Sequence, residues 1–576
     1  MMKLMAKLKP YWKLVALSIL MLSVQSICNL MLPNLMSSIV NDGVETGATQ
    51  VILQIGVMML GVALLSAGAD ACANYFSSKA AMSFGRDLRS ITFRKITGYS
   101  LHEADKIGTA SLITRSTNDI LQMQNMIQMQ MRMIVNIPLQ MIGGIVMAIS
   151  KDPALSLVVA AAMPILAVVV VCNIRWVSPL FSVMQKRLDA VNRVLRENLS
   201  GIRVIRAFNR ITQESKRFND ANKELTDTSL SAFRRMASMM PLTMLVMNAA
   251  ILAILWFGNI RVSGGAMTTG DLMAFIQYVS QILMSVIMAS FMLNMIPRAM
   301  ASARRIVEVW DMEPEVLDPE TPKLPQKGVQ GSVKFENVSF QYPGAERPIL
   351  ENLSFEANPG ETVAIIGGTG SGKSTLISLI PRFYDVSTGR ITVDGVDVRQ
   401  MDQHDLRNRI GYVPQKALLF TGSICDNIRY GKKDATEEEI RAAADIAQAT
   451  SFIENMEDGF DSYLSQDATN VSGGQKQRLS IARAVVRRPE IYIFDDSFSA
   501  LDFKTDAALR EALKPVTRES TVLIVAQRVS TVMNADRILV LDEGKIVGLG
   551  THKELMKDCE VYREIVASQL REEEIA

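Results

Sequence analysis

Nine consecutive residues, Gly367, Gly368, Thr369, Gly370, Ser371, Gly372, Lys373, Ser374 and Thr375, have the types and spacing needed to hold a polyphosphate. The glycines let backbone N–H groups turn inward around phosphate oxygens. Lys373 can reach the β- and γ-phosphates, and the Ser374 hydroxyl can ligate Mg2+. An apolar run, Thr362 to Ile366, precedes the loop, and a helix-like run, Leu376 to Ile380, follows it. A second apolar run, Ile491 to Phe494, ends in Asp495, so a buried strand is expected to deliver a Mg2+-organising carboxylate beside the phosphates. Asp496 comes next, and Gln527 stands before Arg528. Further upstream, Ser472, Gly473, Gly474 and Gln475 open another helix-like run. The Ser-to-Gln spacing is that of a capping box, and the two glycines leave the helix start open to an anion.

These groups need a sheet and helices to position them, and the second half of the chain has that pattern. Alternating residues Val333, Phe335, Val338 and Phe340 begin it, and strand-like and helix-like runs then follow in turn, as expected of an α/β domain. The first half is different. Of 35 methionines all but five precede Ala301, and six segments before residue 305 are apolar enough to cross a bilayer, which takes about 20 helical residues. They lie near Leu14 to Ile39, Val51 to Phe76, Met126 to Ile149, Leu155 to Val177, Pro241 to Ile260 and Leu272 to Met295.

Basic residues set the expected orientation. The links Asn41 to Gln50, Ser150 to Ala154 and Arg261 to Asp271 hold only Lys151 and Arg261, whereas those from Lys79 to Arg115 and Lys186 to Arg235 are rich in arginine. The positive-inside rule therefore places both long links and both termini in the cytoplasm. No proline occurs between Pro33 and Pro138 or between Pro179 and Pro241, so the long links are expected to continue as helices beyond the membrane. The Pro-studded stretch from Pro314 to Pro325 reads as a linker. The expected division is a membrane domain over 1–310, a linker over 311–330 and a nucleotide-binding domain over 331–576.

A formal net charge of +2 with no long one-signed block argues against general nucleic-acid binding. Five scattered cysteines make a disulfide framework or zinc site an unexpected use. Lysines before the first apolar run, with no cleavage site after it, point to a retained span.

Taken together, the motifs resemble the ATP-binding cassette (ABC) family. Tyr342 stands as the base-stacking aromatic, followed by GGTGSGKST, Gln415 as the loop glutamine, VSGGQ as the signature, IYIFD, and Ser499, Ala500, Leu501 and Asp502 as the D-loop. With six spans fused N-terminally, the chain is similar to a half-transporter of the exporter class. That resemblance implies an all-α six-helix membrane domain joined to an α/β P-loop domain. It implies ATP with Mg2+ at Ser374, Gln415 and Asp495, and transverse coupling helices near Tyr99 to Ile107 and Phe208 to Phe218. It also implies a second chain, because each ATP lies between the phosphate loop of one chain and the signature of the other.

Hydrolytic members usually carry Glu and His where this chain has Asp496 and Gln527. Aspartate is one methylene shorter, and a retreat of roughly an ångström from the attacking water can cost about 100-fold in rate. Glutamine stays neutral and cannot carry a histidine's positive charge. The chain thus looks like the degenerate-site subunit of a heterodimeric bacterial multidrug exporter in the cell membrane. Its signature would serve a non-identical partner that supplies the Glu and His. The segment Gln466 to Ala468 departs from the acidic, glycine-containing stretch that the family often has there. A lipid or peptide exporter on the same scaffold is the nearest alternative, and a regulatory ATP-binding membrane protein without transport is another. In the membrane half, Met244, Asn248, Met288 and Met292, with Asn294 and Met295, are candidates to line an adaptable cavity, against ordinary helix packing. Asp70, a plain intramembrane acid, is a candidate contact for cationic substrates, or else pairs with a group of the partner chain.

Overall fold

The computed structural model describes residues 1–325 and 330–569, without the side chains at 291 and 293–295. Asn294 and Met295 therefore lie outside the described side chains. The chain forms two compact units: Met1–Thr97 with Thr109–Met312, and Gly98–Gly108 with the chain from Glu313 onward.

In the first unit, six helices among the described residues are long and apolar enough to cross a membrane: Met2–Val44, Thr49–Thr97, Thr109–Lys151, Ser156–Ser200, Ile211–Ser263 and Thr269–Ser290. Each contains one of the expected apolar segments, apart from Leu155 at the start of the fourth and the last residues of the sixth. Helix Thr49–Thr97 has 49 residues, about 70 Å at helical rise, so it extends far past a hydrocarbon core of about 30 Å. Proline-free, charged sequence carries that extension, as the long links predict. The helix Thr269–Asp311 packs along Asn118–Lys151, Trp12–Ser38 along Thr49–Thr97, and Ser156–Ser200 along Ile211–Ala237. Tyr278, fully buried, donates to the Leu30 carbonyl at 3.0 Å and ties the sixth span to the first.

Between the long helices, Leu101–Ile107 forms a short helix capped by Ser100. It belongs to the second unit, where the buried Glu103 accepts from the backbone N–H of Ser100 at 2.8 Å and of Glu315 at 3.1 Å. The second link differs from the expected helix near Phe208 to Phe218. A short helix occupies Ile202–Ala207, and Asn209, at φ 52°, turns the backbone left-handed before the long helix begins at Ile211. Asparagine tolerates that region better than most residues.

The second unit contains strands β1 (Val333–Phe340), β2 (Leu350–Ala357), β3 (Thr362–Gly367), β4 (Thr388–Val393), β5 (Val396–Asp397), β6 (Ile410–Val413), β7 (Gly422–Ser423), β8 (Tyr463–Leu464), β9 (Ile491–Asp495), β10 (Thr521–Val525), β11 (Arg537–Asp542) and β12 (Lys545–Gly550). An antiparallel sheet has the order β2-β1-β4-β5, and the main sheet runs β12-β11-β3-β10-β9-β6, parallel except for β12. Both faces of the main sheet are covered. Ala364, Ile366, Tyr492 and Phe494 join one core, while Val363, Ile365, Ile491 and Ile493 join another. Burial on both faces explains why β3 and β9 are apolar throughout and do not alternate with polar residues.

Candidate nucleotide site

Four adjacent parallel strands end at one place. Past β3 comes the glycine loop, past β9 Asp496, past β10 Gln527 and past β6 Gln415. Ligand sites form at this carboxyl edge because the strand ends leave a crevice there.

The loop's shape demands its glycines. A Cβ on Gly367 would lie 2.0 Å from the Leu541 carbonyl oxygen. Gly372, at φ 98°, adopts a backbone that side chains rarely allow, immediately before the helix Lys373–Ser378. Lys373 folds over this loop, donating from Nζ to the carbonyls of Gly367 at 3.0 Å and Gly368 at 2.7 Å. Burial lowers its pKa, and the charges of Asp496 and Asp495 oppose that shift. Ser374 Oγ donates to Asp495 Oδ1 at 2.8 Å, so the hydroxyl and the carboxylate already sit at the separation of two groups sharing one cation. Tyr342 lies beside the loop, its hydroxyl 3.1 Å from Thr375 Oγ1 and its ring edge-on to Tyr384 at 5.3 Å.

Asp495 and Asp496 are both buried. Desolvation raises the pKa of each. Ser374 and Tyr412 pull Asp495 back down while the neighbouring charge of Asp496 raises it, and Gln415 pulls Asp496 down. Two carboxylates this close gain from a bound cation, which removes both the repulsion and the need for water. The oxygen-rich pair with Ser374 therefore fits Mg2+, and Gln415 lies one contact further out.

Asp496 is the centre of an arrangement that the sequence did not reveal. Its Oδ2 accepts from Gln527 Nε2 at 2.9 Å and from Gln415 Nε2 at 3.3 Å, so both glutamines hold the same carboxylate oxygen. Its backbone is left-handed at φ 45° and is fixed by its N–H donating to Val525 at 2.9 Å. Gln527 is anchored in turn. Gln569 donates to the Gln527 carbonyl at 2.7 Å and accepts from the Val529 N–H at 2.8 Å.

Ser472, Gly473, Gly474 and Gln475 lie elsewhere on the unit. Ser472 Oγ accepts from the Gln475 N–H at 3.3 Å, and Gln475 Oε1 accepts from the Ser472 N–H at 2.7 Å, forming the capping box of the 13-residue helix Gly473–Val485. Ser472 and Gly473 are exposed. Among the described residues no hydrogen bond joins this helix start to the glycine loop of the same chain. Gly474 abuts Ala500, since a Cβ there would be 3.2 Å from the Ala500 carbonyl oxygen. In the same segment Ser499 donates to the Asp496 carbonyl at 2.8 Å, Leu501 is buried, and Asp502 caps the helix Phe503–Thr517. The segment Ser499–Asp502 thus connects Asp496 to the helix Gly473–Val485. Gln466–Ala468 forms a tight turn with Asp467 and Ala468 at positive φ, and Lys476 donates to the Asp467 carbonyl at 2.7 Å.

In the membrane unit, Asp70 Oδ1 accepts from Arg132 Nη2 at 2.9 Å and Oδ2 accepts from Asn74 at 3.1 Å. Its partner is within the same chain. Met288 lines a cavity with Arg132, whereas Met244 and Asn248 are exposed and Met292 is half-buried, none of the three among the residues that line it. Arg132 was overlooked at the sequence level because a lone arginine in a methionine-rich run carries no spacing signal.

Six membrane-length helices fused to an α/β phosphate-binding domain define one half of an ATP-driven membrane transporter. The chain belongs to the ABC transporter family. Residues 15–286 match the ABC transporter transmembrane region and residues 350–499 the ABC transporter family model. An uncharacterized ABC transporter ATP-binding protein of Mycobacterium tuberculosis is 44% identical over 98% of this chain and 97% of its own length. The YfiB protein of Bacillus subtilis, also an uncharacterized ABC transporter ATP-binding protein, is 40% identical over 100% and 99%. A fatty acid ABC transporter ATP-binding/permease protein of M. tuberculosis is 35% identical over 82% and 75%. A bacterial Atm1-family ABC exporter solved with ATP bound has a TM-score of 0.79 at 27% identity, covering 97% of this chain and 98% of that one. The protein is thus an integral, multi-pass ABC exporter half with transmembrane and nucleotide-binding domains in one chain.

Proposed function

We propose that this chain is the degenerate-site half of a heterodimeric exporter of amphipathic compounds. It holds ATP and Mg2+ at Lys373, Ser374 and Asp495, and hydrolyses slowly there because Asp496 and Gln527 replace stronger groups. The observation that carries this reading is the shared contact at Asp496. The carboxylate that would polarise water is short, and one of its oxygens is already engaged by two amide donors. Burial raises the pKa of Asp496 and the Gln415 amide opposes that rise, so what the two donors take away is a free oxygen to accept from water. The intact, outward-facing Ser472–Gln475 segment is lent to a second chain, where its helix start completes a site for the γ-phosphate. ATP held here favours closure of the two nucleotide domains, and turnover at the partner's site resets them. The loops rich in arginine, the nucleotide domain and both termini face the cytoplasm.

The deciding experiment compares the chain alone with the chain joined to its non-identical half. Alone it binds ATP and turns over slowly. In the pair, nucleotide trapped during turnover is cleaved on the partner's phosphate loop. Trapping chiefly against Lys373, or brisk turnover by a verified homodimer, overturns the degenerate-site reading. A narrower reading, lipid in place of drug export, is favoured by the similarity to a fatty acid transporter. Which compounds stimulate ATPase activity of the reconstituted pair separates the two.

A further inference from the structure

Between the helices Asn118–Lys151 and Thr269–Asp311 lies a cavity of about 500 Å3. That volume falls in the range that encloses a single drug-sized molecule. Asn125, Gln128, Arg132, Asn136 and Gln140 contribute to its wall at intervals of three or four residues, so one helix presents a polar ribbon about 22 Å long. Met129, Met133, Met284 and Met288 flank that ribbon with adaptable apolar surface.

Arg132 is the charged residue among those that line the cavity. It lies six residues inside the apolar segment that starts near Met126, about 9 Å deep. A charge within a span is costly to insert, so it persists where it has a task. Asp70 contacts Arg132 through one Nη and is absent from the cavity wall. A guanidinium has five N–H donors, and Arg132 keeps 38% of its side chain exposed. Asp70 therefore steadies the guanidinium from outside the cavity, and the sign shown to a bound molecule is positive.

We infer that this cavity takes a single-chain amphipath with a carboxylate head group. The head sits on Arg132 with help from the amide ribbon, and the hydrocarbon lies along the methionines. This rests on the export reading and deepens it, naming an anionic class where Asp70 by itself had suggested a cationic one.

The test is fluorescence titration of the full-length chain in zwitterionic lipid nanodiscs with 11-(dansylamino)undecanoic acid, its methyl ester and the corresponding terminal amine, with empty discs subtracted. The acid is expected to bind about tenfold or more tightly than the ester, and the amine more weakly than either, as a charge-assisted pair requires. Arg132→Gln brings acid and ester within about twofold, Arg132→Lys retains part of the preference, and Asp70→Asn strengthens acid binding about threefold by removing the competing carboxylate. Equal binding of acid and ester, tighter binding of the amine, or a preference that survives Arg132→Gln overturns the inference. If Arg132→Gln does not fold, as judged by lost ATP binding, the unmodified chain and Asp70→Asn decide. ATP-driven dye accumulation in vesicles is measured separately. Its failure alongside a retained acid preference removes the export reading and leaves the anion site standing, and the reverse outcome removes only the anion site.

Discussion

On the degenerate-site proposal, Asp496 and Gln527 act on different quantities, one on reach and the other on charge. Restoring both, by Asp496→Glu with Gln527→His, is expected to raise single-site turnover only a few-fold where the facing signature is also defective; a rise of about 100-fold would place the whole defect in this chain. Asp495 yields a prediction about stability. Its folded pKa is raised above the usual carboxylate value, with burial the leading cause. The folded protein therefore holds that proton more tightly than the unfolded chain does. Ionisation costs stability as pH climbs past the ordinary carboxylate range, and acidification relieves the cost. Asp495→Asn should thus raise the nucleotide-free melting midpoint at pH 7.5 by a few degrees while weakening Mg2+-dependent ATP binding, checked by calorimetry with and without Mg2+. The glycine loop and its flanking strand and helix were legible in the sequence because backbone geometry dictates those letters locally. The meeting of Gln415 and Gln527 at Asp496 was not, since these residues lie 81 and 31 positions from it and only the strand order brings them together.

Among the elements, the helix Gly473–Val485 is given two roles by the proposal, and they can be separated. Ser472→Ala removes a cap worth about 1 kcal/mol. ATP binding by this chain should survive, while turnover by the heterodimer falls about tenfold or more if the segment serves the other site. The helix Leu101–Ile107 depends on Glu103. Burial pushes that carboxyl's pKa up, but hydrogen bonds from Ser100 and the Glu315 N–H outweigh it and leave the pKa below its ordinary value. The stability this contributes is complete above about pH 4.5 and is lost as pH falls through the lowered pKa. Glu103→Gln should therefore lower the midpoint near neutrality and flatten its dependence on acid, as read by thermal unfolding from pH 7 to pH 4. Long, proline-free extensions were foreseeable from composition. The turn at Asn209 was not, because one left-handed asparagine leaves no periodic trace.

Across the whole chain, division of labour is written into sequence and packing alike. Methionine-rich spans build one unit, and a sheet buried on both faces builds the other. Trp176 and Trp256, each 72% exposed, show how much apolar surface the membrane unit leaves for lipid or another chain. The contact of Gln569 with Gln527 and Val529 has a practical reach. The chain's last described helix works as a latch on the end of β10, beside the strand that leads into the glycine loop, so handling of this helix is never remote from the site. Removing Gln569, or pulling on it with a fused tag, should slacken the Gln527 backbone and alter nucleotide affinity while leaving the membrane half intact; engineers of this transporter gain by attaching their handles at the opposite terminus.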